Sequence, residues 1–440
     1  MKRILFILFL FSVFNVFSQT EGEFFCASDN RFSLFNNKKW INNNDFLLEY
    51  IKNYPLLDSD YVYFRIPVVL HIYLNPREKK ERIYPDIKRL IERLNDINKG
   101  NKTGFQFYLS DVIFINNQRH LKAGYIIEAP MISSKNQNKQ AINIYYVNIL
   151  QSKFFKNKTN YHGTYNSFNN SIISIRHASQ TTLTHEIGHF FGLKHPHNHW
   201  KRGKSRQESV SRSQTKGLLA KKTVCEVNGD GLSDTPAEPN LSKFTDKDCN
   251  YIGEITDAWG EPYHPNTNNI MSYPGNRACR DNFTTMQKSV MLYTASHKKQ
   301  SNIWSNTPEN IHFTFDNLEP DDYFEMASEI ILDENQYHTF HNSITYKRKL
   351  LKTNNTDFLT FSIKFNSQIF LNIEKGNYDF PTIEIIIYDV KRNVVFSKTI
   401  SESIKIPLNN LNGKYFIRLV CINELPNGKL FDYQIVLREN

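Results

Sequence analysis

Beyond its first residues the chain has no apolar run near the ~20 residues a membrane-spanning helix needs, so no later span is expected. It contains no internal repeat, which argues against a repeat architecture. Small residues are missing directly before Cys26, where Glu23, Phe24 and Phe25 stand, so this is not placed like a lipoprotein cysteine. Acidic residues are nearly absent from residues 201 to 222, where eight Lys and Arg face Glu208 alone and contribute +7 of the chain's net +10. Aromatic residues are missing there too. The stretch therefore reads as a solvated insertion open to proteolysis, and nucleic acid is not an expected partner. Cysteine is scarce. There are five (Cys26, Cys225, Cys249, Cys279 and Cys421), an odd number that cannot all pair within the chain.

The first residues themselves are patterned. Lys2-Arg3, an apolar run to Phe11 and then Val16-Phe17-Ser18 read as a signal peptide over residues 1–18. Export into an oxidising setting is the corresponding expectation, giving a secreted or extracellular protein whose cysteines can pair. A chain of 440 residues, 40% hydrophobic, suggests two folded domains. Residues 19–60 are Asn-rich and read as a prosegment or N-terminal extension with one helix near Asn44–Asn53.

In residues 61–300, Tyr63–Leu74 reads as a buried strand. Ile87, Leu90, Ile91, Leu94 and Ile97 give Tyr84–Ile97 a helical period. Phe105–Phe114, Ile142–Leu150 and Asn170–Ile175 read as strands, Thr181–Leu193 as a helix, and Phe283–Leu292 as a closing helix. This order predicts a mixed sheet with helices packed on it. Residues 225–273 are irregular, as functional or cross-linked loops are. Residues 308–440 show short alternating runs separated by turn residues, which predicts an all-β sandwich. The fold class expected for the whole is α+β.

The chemistry concentrates near residue 190. His185 and His189 are four apart, so a helix places both imidazoles on one face, within reach of one metal ion. Glu186 lies beside the first of them, where a carboxylate can take a proton from attacking water and pass it to a leaving amine. Gly192 can end the helix because it accepts backbone angles denied to other residues, letting His195 supply a third nitrogen. His197 and His199 are nearby alternatives for that third position. Three protein ligands with one open position is the pattern of a catalytic zinc. His-Glu-x-x-His alone arises by chance in roughly 5% of chains of this length, and adding Gly192 and His195 lowers that to about one in ten thousand.

The run His185-Glu186-Ile187-Gly188-His189-Phe190-Phe191-Gly192-Leu193-Lys194-His195 resembles the extended zinc motif of the metzincin metallopeptidases. Asn269-Ile270-Met271-Ser272-Tyr273 resembles their Met-turn. Gly229–Pro236 and Cys279–Thr284 narrow the resemblance to the pappalysin (cytophagalysin) family, over about residues 63 to 295. It implies a metzincin-type domain with a mixed twisted sheet and an active-site helix, holding Zn2+. The implied activity is that of an endopeptidase acting on protein or peptide substrates, favouring basic residues beside the cut. Met271 would floor the metal without binding it. Tyr273 would act as a labile ligand or donate to the developing oxyanion. The resemblance also implies Ca2+ in the loop region, with Asp230 and Asp234 as oxygen donors; turn formation is the other use of such residues.

By the same resemblance Cys249–Cys279 is the preferred disulfide and Cys225–Cys249 its rival. Relatives often carry a cysteine where this chain has Ser233, so one cross-link of the family is expected to be missing. Cys26 is the latency candidate, a thiolate that could cap the zinc before activation; the alternative is a disulfide from Cys26 to Cys225 or Cys421. Glu319-Pro320-Asp321-Asp322, Thr356–Leu359 and Gly413–Arg418 make residues 319–437 similar to the bacterial pre-peptidase C-terminal domain. A monomer is expected. The competing reading is a secreted binding protein on a catalytically silent scaffold, against which the intact ligand set and Glu186 both speak.

Overall fold

The structure is a computed structural model that describes residues 25–26, 44–58, 61–116, 124–125, 137–151, 160–167, 169–176, 178–198, 200, 207–211, 229–297, 313–314, 316, 318–340, 345–346, 349–350, 356–363, 369–375, 382–408, 411–422 and 431–439. The expected signal peptide, Cys225, His199 and most of the basic stretch 201–222 lie outside the described residues. In chain order the elements that build the first body are β1 Phe25–Cys26, α1 Asn44–Ile51, β2 Tyr61–Val62, β3 Phe64–Tyr73, α2 Tyr84–Gly100 and β4 Phe105–Ile115. They continue with β5 Gly124–Tyr125, β6 Ile142–Val147, β7 Leu150–Gln151, β8 Asn160–Asn166, β9 Ser171–Ile175, α3 Gln180–Phe190, α4 Thr285–His297 and β10 Phe313–Thr314.

All ten residues of β3 are buried, without alternation. A strand covered on both faces has no polar side to present, and β3 accordingly reads as apolar and aromatic apart from the buried Arg65 and His71. It pairs in parallel with β4 and with β6, and β6 pairs in parallel with β9. The sheet order is β4-β3-β6-β9-β8-β7-β5, and β8 runs antiparallel to β9. Helix α2 opens with Pro85 in its first turn, where a missing N–H is harmless. Its buried residues Ile87, Ile91, Leu94 and Ile97 join the sheet and α3 in one core. The predicted strand at 142–150 breaks at Val147, and the predicted helix at 181–193 ends at Phe190, because Gly192 turns with φ +93°. Strand β8, Asn-Tyr-His-Gly-Thr-Tyr-Asn, was not anticipated; it has no apolar alternation to announce it.

Part of the expected N-terminal extension is built into this body. Leu47 of α1 is fully buried, and its carbonyl accepts a hydrogen bond from Ser289 Oγ of α4 at 2.6 Å. Phe46 meets Tyr293 edge-on at 5.5 Å.

The C-terminal residues are predominantly strand, so the described chain is α+β. One sheet has the order Ser328–Glu329, Thr356–Ile363, Gly413–Cys421, Ile383–Asp389, Val394–Ile400; the other has the order Gln336–Phe340, Phe431–Glu439, Ile369–Lys375, Ile404–Pro407. The two share one apolar core, which includes Leu359, Ile385 and Cys421 from the first and Leu371, Ile373 and Ile435 from the second. Beyond β10, which pairs with β2, this body is held to the first by Lys88 of α2, whose Nζ donates to Met326 O at 2.6 Å and Ser328 Oγ at 2.8 Å. Gln106 of β4 adds two bonds to the backbone of Asp316. Among the described residues no helix is long and apolar enough to cross a membrane.

Candidate metal centre

Helix α3 carries His185, Glu186 and His189, and the turn at Gly192 returns the chain so that His195 faces the same point. The three Nε2 atoms are 3.1 Å (His185–His195), 3.2 Å (His185–His189) and 2.9 Å (His189–His195) apart. All three rings are buried. His185 Nδ1 lies 2.7 Å from Ile270 O, and His189 Nδ1 lies 2.8 Å from Leu193 O. A carbonyl oxygen can only accept, so each Nδ1 carries the proton and each Nε2 keeps a lone pair aimed at the other rings. Burial, then the nearby Arg280 guanidinium and the other two imidazoles, hold the His185 pKa well below its usual value, in the neutral form that a metal requires. Three nitrogens bonded to one ion at ~2.0–2.1 Å in tetrahedral directions stand ~3.3 Å apart, close to the separations here. The donor set therefore fits a divalent metal.

The residues around it explain the motif's other letters. A β-carbon added at Gly188 would lie 2.5 Å from Met271 Sδ, so this glycine lets Met271 pack against the α3 backbone between the two helical ligands. Met271 is fully buried, and its N–H donates to Asn269 Oδ1 at 2.8 Å, while Asn269 Nδ2 donates to Gln287 Oε1 of α4 at 2.9 Å. Thus the 269–273 turn is tied below to α4 and above to His185 through Ile270. The Tyr273 ring stands 4.6 Å from that of His195 and 5.6 Å from that of His185, with the Arg280 guanidinium 5.6 Å from its centre.

Glu186 is completely buried. It packs against β8, where a β-carbon at Gly163 would come within 2.9 Å of its Oε1. Gly163, Glu238 and Ser272 were not singled out from the sequence. Glu238 Oε2 accepts from Ser272 Oγ at 2.8 Å, and its Oε1 lies 3.4 Å from His197 Nδ1. Burial raises the Glu238 pKa well above the usual carboxylate value, with Asp230 and Glu208 adding to it. His197 is not among the three converging histidines. Its ring stacks on His195 at 4.9 Å and leans on Tyr273 at 4.7 Å.

Asp230 Oδ1 accepts from Leu232 N and Thr235 Oγ1, closing a turn. Asp234 Oδ1 accepts from Thr284 Oγ1 and its Oδ2 from Met286 N, at the start of α4. Both carboxylates thus have the turn and capping bonds that such residues form without any ion. Cys249 and Cys279 form a disulfide with Cα atoms 5.5 Å apart. The Cys26 backbone pairs with β8. A second group of converging donors, Asp321, His338 and Asp357, is buried in the C-terminal body, with its ligand atoms within 4.8 Å of one another. Burial raises the pKa of the neighbouring Glu319 to about 8 and that of Asp316 to about 7.

No protein-family profile matches the chain, and no curated protein matches it. Among solved structures, the chain is similar to the pre-peptidase C-terminal domain of a collagenase from Bacillus anthracis, at 15% identity over 25% of this chain and 93% of that one, with a TM-score of 0.19. It is also similar to PliG, a periplasmic inhibitor of g-type lysozyme from Salmonella Typhimurium, at 11% identity over 26% of this chain and 98% of that one, TM-score 0.17. The Aeromonas hydrophila PliG gives 6% identity over 26% and 96%, TM-score 0.18. At these values the likenesses assign no function to the chain.

Proposed function

We propose that this chain is a secreted zinc-dependent endopeptidase of metzincin type, in the pappalysin manner, with the C-terminal body as an appended module of pre-peptidase type. The observation that carries the reading is the convergence of the His185, His189 and His195 Nε2 atoms, two of them fixed in tautomer by backbone carbonyls, beside a buried glutamate on the same helix. His185, His189 and His195 would hold Zn2+. Bound there, zinc would supply Lewis acidity, polarising a scissile carbonyl and making water a better nucleophile at neutral pH.

The protein's own groups do the rest. Glu186 takes the proton from the attacking water, holds it in a site closed to solvent, and hands it to the leaving amine. Its wall against β8 keeps the carboxylate in one place, and positioning of this kind is worth orders of magnitude in rate. Tyr273, beside two of the ligands, donates to the oxyanion as charge develops. Before maturation, Cys26 supplies a thiolate that closes the site, and the pairing of β1 with β8 supports this by bringing the N-terminal segment to the strand that borders Glu186.

The test uses purified protein, with the segment before Asn44 removed, on a defined peptide mixture. Cleavage that a chelator abolishes, zinc restores and Glu186→Ala lacks is the expected result. A processed protein that binds zinc yet cleaves nothing would transfer the reading to a binding protein on a silent scaffold.

A further inference from the structure

The four parallel strands stand in the order β4, β3, β6, β9. From β3 the chain crosses through α2 to β4 on one side, and it then returns to β6 on the other side of β3. The carboxyl ends of β3 and β6 therefore flank the place where strand order reverses. Connections leave in opposite directions at such a point and open a crevice, the usual ligand position in an open α/β sheet.

A cavity of about 880 Å3 lies there, within the ~300–1,000 Å3 of small-molecule sites. Its floor is apolar. Leu70 and Ile72 come from β3, Tyr146 from β6, Ile83 from the residue just before α2 and Ile87 from its first turn, and all five are buried. Its rim is basic, with five cations (Arg77, Lys79, Arg82, Arg89 and Arg176) against Glu78 and Asp86. Two of the five are committed. Arg176 is held by Glu78 Oε1 at 2.5 Å and by Tyr73 O, and Arg89 is paired with Asp86. Arg77, Lys79 and Arg82 remain as excess positive charge, on the exposed connection that leads into the amino end of α2. Helix amino ends add to a positive field. None of the lining residues belongs to the histidine centre.

We propose that this crevice binds a small amphipathic anion, a carboxylate or phosphate head on an apolar body, as a site separate from the histidine centre. The head meets Arg77, Lys79 and Arg82, and the body lies on Ile83, Ile87 and Tyr146. Neither half of the lining serves the proposed peptidase chemistry, and a cavity walled by buried aliphatic side chains suits a free molecule better than a headgroup still seated in a bilayer.

Calorimetric titration of the full chain with octyl phosphate, below the concentration at which it aggregates, tests this. Inorganic phosphate serves as the head alone and octyl glucoside as the body alone. One site is expected, with both partial probes weaker by roughly tenfold or more, since each lacks one half of the contacts. The double variant Arg77→Ser/Arg82→Ser changes only exposed residues, so it should fold, and it should weaken octyl phosphate by roughly tenfold or more. Binding should be the same with chelator present and in Glu186→Ala, which separates this site from the peptidase reading. Equal affinity of parent and double variant would overturn the proposal. So would tighter binding to phosphatidylglycerol vesicles than to soluble octyl phosphate.

Discussion

Cys26 stands in parallel register with Gly163 on β8, and Gly163 is the residue whose missing side chain makes room for Glu186. The N-terminal segment, the bordering strand and the proposed general base therefore lie side by side.

If Cys26 closes the site, its removal should act only before processing. Cys26→Ala is expected to raise precursor activity by roughly tenfold or more, a barrier change of at least ~1.4 kcal/mol. The processed forms of mutant and parent should be indistinguishable. Initial rates on one fluorogenic peptide, taken before and after removal of the segment preceding Asn44, decide it; equal precursor rates would rule the switch out.

Gly163→Ala should damage catalysis without emptying the metal site. The new β-carbon would press on Glu186 and on Thr182 Cγ2, at 2.9 and 3.1 Å, and not on a histidine. A displacement of ~1 Å at a catalytic group costs about 10²-fold in rate. Turnover should drop by that order while zinc content, measured by elemental analysis, stays near that of the parent.

His195 and His197 have separate tasks. His195→Ala should lose stoichiometric zinc. His197→Ala should keep it, with affinity lowered ~10-fold by loss of the ring stacked on the ligand. Competition against a coloured chelator measures both; zinc loss on replacing His197 alone would reassign the third ligand. In the parent, metal removal should also lower the melting temperature, because an ion at 1,000 times its dissociation constant stabilises the fold by about 4 kcal/mol.

Acid should weaken the central sheet through His71. This ring is fully buried, bonds Asn143 Oδ1 at 3.0 Å and stacks on Tyr145 at 4.1 Å, and burial lowers its pKa from 6.5 to about 4. The unfolded chain takes up a proton near pH 6.5 that the folded chain refuses. Stability is thus fully present above that pH and falls as pH drops toward 4, by up to ~1.4 kcal/mol per unit. Urea unfolding from pH 7 to 4.5 should show this slope in the parent and a shallower one in His71→Gln. Identical slopes would refute the assignment.

The histidine motif and the periodic helix at Tyr84 were legible because each is local: four-residue spacing and a 3.6-residue period are written in neighbouring letters. The same holds for β3, whose burial on both faces leaves a run of apolar residues. Strand β8 was not legible, since Asn160, His162 and Asn166 have no apolar alternation to betray pairing. Gly163 and Glu238 escaped for another reason. Their roles arise from contacts with residues 23 and 34 positions away, Glu186 and Ser272, and no spacing rule connects them. The cavity at the ends of β3 and β6 depends on strand order, which a list of strands does not contain.

Leu47 has a consequence for maturation. Its side chain is sealed in the core under α4, while Cys26 lies on the border of the site, and both belong to the stretch expected to be a removable leader. A cut beyond Asp58 would pull a wedge out of the protein's own foundation; a cut between Cys26 and Asn44 would lift the proposed lock and leave the wedge. If the chain is processed as proposed, a cut that frees the site and spares the core must fall among the seventeen residues from 27 to 43.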